Sequence, residues 1–217
     1  MGDGHLRPRA MAIGPDRRVY VGSLPPYGQT GGALGVYDPK AGGVVENYRH
    51  IVTNQGISAL CFEPQTGRLF AGSSIAAGGG ATPRAQECVV FAWDAKVRQK
   101  TWEEVLIKGD TSVGALTAAR GRIFGVTLPS STLFVLEAKS CKLLSRTTIP
   151  FGGFHEISLD YYPPADRLFG LAGQSVFAVD PASFVLSEVA RSPEPISCGF
   201  AVTDTGIYFG SGTRLVR

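Results

Sequence analysis

The sequence predicts an all-β fold built of four-stranded antiparallel sheets. Three observations carry that reading. An apolar run, a tight polar turn and a second apolar run ending in glycine recur along the chain. An aromatic-rich run, a turn and a further strand follow in the first four copies. No segment sustains a helical period of apolar residues.

The paired runs come in order. Residues 11–13 and 19–22 flank the turn 14–18, 59–62 and 69–72 flank 63–68, and 115–118 and 123–125 flank 119–122. Residues 157–161 and 168–170 flank 162–167, and 199–202 and 207–210 flank 203–206. Short apolar runs bounded by Gly, Pro, Asn and Asp read as hairpin strands. The second runs close on Gly22, Gly72, Gly125, Gly170 and Gly210, which lie 50, 53, 45 and 40 residues apart. Tyr20, Phe70, Phe124, Phe169 and Tyr208 each precede that glycine by one or two residues, and are expected to pack between sheets.

The aromatic-rich runs are 35–45, 90–94, 133–137 and 176–181. Three of them turn at Asp38, Asp94 or Asp180, and Asp38 and Asp180 precede a proline. An Asp carboxylate at a turn bonds the backbone two residues on, and Pro presets the following φ. Each unit thus reads as four strands, A to D, joined by hairpins. A period of about 40–50 residues per four-stranded unit is the mark of a β-propeller, whose blades cover each other's faces when packed radially. The blades are expected near 10–50, 57–103, 113–147, 157–190 and 199–217, in a single β-propeller domain spanning 1–217 or in a propeller fragment. The fifth has only a stub after its second strand. Either the ring has five blades and closes imperfectly, or the chain is the carboxyl-terminal part of a larger propeller. The second is favoured, because an open arc leaves sheet faces and edges exposed.

Composition sets limits on function. Of 217 residues, 44% are hydrophobic and 18% charged, enough apolar matter for a sizeable core and too little charge for long disorder. The formal net charge of +3, with no run of five like charges, predicts no nucleic-acid partner. No run approaches the roughly 18 apolar residues of a membrane helix, so no membrane partner is expected. The segment 1–5 has no apolar leader, which predicts a cytoplasmic product if Met1 is the true start and otherwise leaves the location open. Cys61, Cys88, Cys141 and Cys198 show no C-x-x-C spacing and read as buried free thiols.

The runs Val19-Tyr20-Val21-Gly22, Gly35-Val36-Tyr37-Asp38-Pro39-Lys40 and Val176-Phe177-Ala178-Val179-Asp180-Pro181 resemble the repeat units of YVTN-type, gluconolactonase-like and quinoprotein-like β-propellers. The resemblance covers nearly the whole chain and implies the fold, while leaving activity open. The Gly-His…Trp-Asp signature of WD40 repeats is absent, since Trp93-Asp94 has no partnering Gly-His. Gluconolactonase-like propellers hold a divalent ion at the channel mouth through carboxylates and Asn. Asp110, Glu156 and Glu194 do not match those ligands one by one, so no metal is expected. Quinone-dependent propellers repeat a Trp docking motif in every blade, and this chain has only Trp93 and Trp102. No cofactor is expected.

Site residues follow from the loops. The A–B and C–D turns are short and occupy one face of the disc. The B–C and D–A connections occupy the other, where 23–34 and 73–87 are long and Gly-rich. Long loops on a rigid scaffold concentrate binding residues. Such glycines can offer backbone N–H groups to an anion, but no P-loop or dinucleotide fingerprint surrounds them. Polar residues at the D–A entries, namely Arg9, Asn54, Gln55, Ser58, Asp110, Thr111, His155, Glu156 and Glu194, converge on the channel mouth. The expected ligand-binding set is Arg9, Tyr27, Gln55, Ser58 and Arg84, near blades one and two. His155 and Glu156 are the weak catalytic candidates, because a His and a carboxylate can do acid–base work. As strand neighbours, however, they point to opposite faces. His50 reads as solvated, and His5 is given no role. Two functions fit this pattern. One is a scaffold that binds a small polar ligand, such as a carbohydrate, or a protein partner on the loop-rich face. The other is a carbohydrate- or lactone-active lyase or hydrolase with its active site at the channel mouth.

Overall fold

The computed structural model describes residues 7–217, and the segment 1–5 with its His5 lies outside them. Blade one is β1 (Arg7–Ile13), β2 (Val19–Leu24), β3 (Ala33–Asp38) and β4 (Gly43–Arg49), paired in that order. Blade two is β5 (Gly56–Glu63), β6 (Arg68–Ser74), β7 (Val90–Asp94) and β8 (Gln99–Glu104). Blade three is β9 (Ser112–Ala119), β10 (Arg122–Leu128), β11 (Thr132–Glu137) and β12 (Leu143–Thr148). A single bridge, Ser74 opposite Ser112, joins blades two and three. Blade four is β13 (Phe154–Tyr162), β14 (Arg167–Ala172), β15 (Ser175–Val179) and β16 (Leu186–Arg191). The fifth sheet has three strands, β17 (Cys198–Thr203), β18 (Gly206–Ser211) and β19 (Arg214–Val216). All pairings are antiparallel, and a 3-10 turn at Pro163–Ala165 is the helical element among the described residues.

The turn chemistry holds each hairpin. Asp38 accepts from the Lys40 N–H at 2.9 Å, Asp94 from Lys96 at 2.8 Å and Asp180 from Ala182 at 2.8 Å. Beside the long loops, Ser23 and Ser73 follow the closing glycines. The Ser23 hydroxyl accepts from the Ala33 N–H at 3.0 Å, and that of Ser73 from the Val89 N–H at 2.7 Å. Each hydroxyl thus pins the start of the third strand, however long the loop between.

Strand alternation supplies both faces of each blade with apolar side chains. Tyr20, Leu34 and Val36 of blade one meet Leu69, Ala71, Phe91 and Trp93 of blade two. Phe70, Val90 and Ala92 turn the other way, onto Ile123, Phe134 and Leu136 of blade three. Phe124 and Val135 continue the pattern onto Leu168, Phe177 and Val179 of blade four. Leu171 and Val176 then meet Ile196 and Phe209 in a smaller cluster. The inner strands β1, β5, β9, β13 and β17 lie side by side in chain order, with no packing of similar extent between β17 and β1 among the described residues. Close approach requires glycine at two of the strand ends. A Cβ on Gly22 would stand 2.5 Å from an Ile57 methyl, and one on Gly72 would collide with Val113.

Candidate functional site

The two faces of the disc differ in how they handle charge. On the turn face, Arg18 reaches Asp38 and Glu46, each at 3.3 Å. Arg120 pairs with Asp166, and Arg167 with Asp180 at 3.0 Å. Arg68 donates to the Lys139 carbonyl at 3.2 Å and Arg122 to that of Pro181 at 2.6 Å. Hydrogen bonds from the Lys40 and Ser183 N–H groups respectively hold the Asp38 and Asp180 carboxyls below the usual carboxylate range. Burial and the neighbouring Asp16 push the Tyr20 phenol well up. On this face most arginines are held by a carboxylate or a backbone carbonyl.

The loop face is built differently. The first two B–C loops bond to each other: the Gly28 N–H donates to the Gly79 carbonyl at 2.7 Å, and Gly78 to that of Gln29 at 2.9 Å. A Cβ at Gly78 would collide with the Pro26 carbonyl, so the zipper needs glycine there. The Tyr27 ring lies over Gly79 and Gly80 and is 81% exposed. Beside this zipper opens a cleft of about 680 Å³ lined by Gln29, Thr30, Arg49, His50, Thr82 and Arg84, among others. The loops 25–32 and 75–86 hold no Asp or Glu.

The residues expected to bind a ligand do not gather in one place. Arg84 lines the cleft and Tyr27 stands on its rim loop. Gln55 is buried, with the Ser73 hydroxyl on its amide oxygen at 2.5 Å and its NH₂ on the Glu87 carbonyl at 3.0 Å. It braces the second long loop from below, so both ends of its amide are engaged within the protein. Ser58 is likewise buried and donates to the Val113 carbonyl at 2.8 Å, tying β5 to β9. Arg9 pairs with Glu156. Arg9 and Ser58 border a second cavity of about 310 Å³ between the inner strands, whose other walls include Leu60, Ala115, Ile157 and Leu159. Ile157 adopts a φ of 63°, a left-handed conformation that a β-branched residue takes only under strain.

The acid–base pair is also split. The His155 ring is within 2.8 Å of the Gly173 carbonyl, while Glu156 faces Arg9. Asp110 is buried and accepts from the N–H and hydroxyl of Ser130 at 3.0 and 2.5 Å. Glu194 pairs with Arg214 at 2.7 Å, and Asn54 accepts from Thr30 at 3.0 Å. No group of three or more His, Cys, Asp or Glu positioned to hold a metal occurs among the described residues. Cys198 is exposed, unlike the other three thiols, of which burial pushes Cys88 up to about 12. Sequence reasoning gives Arg49 no role and reads His50 as solvated, although Arg49 ends the fourth strand of blade one and His50 opens its D–A connection. That position was the available signal.

No protein-family model matches the chain, and no curated protein sequence does. Among solved structures, 762 chains match, too many for the fold to discriminate between functions. One is a crystal structure of the mitotic checkpoint complex, with a TM-score of 0.68 at 12% identity over 94% of this chain. The chain spans 57% of the length of that neighbour. The protein has an all-β, β-propeller fold. The resemblance to the YVTN branch finds no family-level match.

Proposed function

We propose that the chain is a β-propeller scaffold that binds a protein partner on its loop-rich face, over blades one and two. The supporting observation is the cleft beside the zippered loops, where Arg49, His50 and Arg84 converge next to an exposed Tyr27. Arg and Tyr are enriched at the energetic centres of interfaces, because they combine large contact area with directed hydrogen bonding. The scaffold beneath is rigid: Ser23, Ser73 and Gln55 fasten both long loops to buried strands. The solved neighbour is, by its title, part of a complex, which accords with a scaffold role. The alternative, a carbohydrate- or lactone-active enzyme, has less support, because His155 and Glu156 are tied to different groups.

The test is a quantitative capture experiment in three forms: the native chain, Tyr27→Ala, and the turn-face variant Lys96→Glu. Proteins retained by the native chain should be lost by Tyr27→Ala and kept by Lys96→Glu, with Tm of both variants within a few degrees of the native value. Loss confined to Lys96→Glu overturns the reading.

A further inference from the structure

We infer that the cleft between the two long loops recognises an acidic peptide segment through its side-chain carboxylates. The inference rests on the loop-face reading above and adds the chemistry of the partner.

The charge pattern supports it. Arg49 and Arg84 line one cleft, with His50 between the strand end and the loop. Neither guanidinium makes an ion pair or a side-chain hydrogen bond among the described residues, a state shared with Arg17, Arg146, Arg191 and Arg217, whereas Arg18, Arg68, Arg120, Arg122, Arg167 and Arg214 each hold an acceptor. The nearest acid on these loops, Glu87, has its carboxylate on the Gly109 N–H at 2.8 Å. No acidic residue lines the cleft. Two unpaired guanidiniums facing the same space raise its positive potential, and a carboxylate entering it gains charge-assisted, often bidentate hydrogen bonds. Thr30, Thr82 and Gln29 add uncharged donors along the walls. The volume of about 680 Å³ exceeds what a lone inorganic anion fills and suits a few residues of extended chain.

The experiment measures fluorescence anisotropy of a labelled hexaglutamate peptide at low salt. A hexaglutamine peptide and a phosphoserine peptide with neutral flanks serve as comparison probes. The protein is used in four forms: the native chain, R49Q/R84Q, Tyr27→Ala, and K96Q/K139Q, which removes two equivalent charges from the turn face. Hexaglutamate should bind the native chain and K96Q/K139Q within twofold of each other, and R49Q/R84Q at least tenfold more weakly. The glutamine substitutions keep much of each side chain's bulk, and unchanged Tm values confirm folding. Equal losses in both double variants show unspecific attraction and overturn the inference. Binding of the phosphoserine peptide alone overturns the carboxylate assignment. Hexaglutamine binding as tightly as hexaglutamate, yet lost in Tyr27→Ala, overturns the charge chemistry and leaves the loop-face reading standing. Loss in K96Q/K139Q alone overturns both.

Discussion

Blade two and the fifth sheet carry the same sequence pattern and meet different fates. Phe70 and Tyr208 each stand two residues before a closing glycine, yet Phe70 is fully buried and Tyr208 only half-buried. The inner strand β5 is buried at all but one position, whereas β17 is mostly exposed. The pattern of alternating apolar residues makes the strand. Burial comes from what lies on each side of the sheet. Blade two is packed between blades one and three, and β17 and β18 pack on blade four from one side only. In such arrays stability is close to a sum of blade and neighbour-interface terms.

The largest expected effect is therefore at Phe70. Phe70→Ala should cost about 3–5 kcal/mol, the usual loss for a buried aromatic that leaves a cavity. Tyr208→Ala should cost less than about 1 kcal/mol, since its ring is half-solvated and its hydroxyl partner, Thr205, is exposed. Urea denaturation of both variants reads the contrast, and equal losses would break it. Next comes Gly72→Ala. The added methyl has nowhere to go but into the Val113 side chain, and overpacking of this kind costs about 1–3 kcal/mol. Gly67→Ala, with open space around the glycine but a φ of 67°, should cost less, about 1 kcal/mol. A Gly67 variant weaker than the Gly72 one would show that the blades relax apart.

The comparison also explains what the sequence made legible. Hairpins, closing glycines and Asp turns are local, so their residues announce them. The role of Gln55 is not local: its partners are Ser73 and the Glu87 carbonyl, far along the chain, and nothing near it says that it is buried. The same holds for Ser58, which borders the inner cavity and also clamps β5 to β9. The cleft arises because two loops from different blades bond to each other, a pairing of Gly28 with Gly79 that no repeat pattern encodes. Arg84 was identified from loop length alone. Arg49 was missed because a charged residue at a strand end is ordinarily just solvated.

Between the buried and the exposed inner strands lies β13, where the register shifts between Phe154 and Leu159 and Ile157 carries its positive φ. Its side chain is 55% exposed, so little burial offsets the backbone strain. Ile157→Gly should stabilise the protein by about 0.5 kcal/mol, because relief of about 1–2 kcal/mol of left-handed strain outweighs the roughly 0.5–1 kcal/mol of extra backbone entropy that glycine loses on folding. A rise in Tm checks it. A fall would mean that the methyl groups lining the inner cavity contribute more than the strain costs.

The smallest expected effect is on the turn face, where blade four should titrate through Asp180. Its carboxylate accepts from the Ser183 and Ala182 N–H groups at 2.9 and 2.8 Å and faces Arg167 at 3.0 Å. These contacts favour the ionised form and lower its pKa in the folded state. An unfolded Asp titrates near 3.9, so the folded chain binds fewer protons than the unfolded one below that pH. The stabilisation is complete above about pH 4 and is lost as pH falls through the depressed folded value. Asp180→Ala removes the acceptor and the titration together. The urea midpoint of the variant should lie slightly below the native one at pH 7, and the gap should narrow by pH 2–3. A gap that widens in acid would mean that Asp180 is protonated more readily in the folded state, against the geometry of its turn.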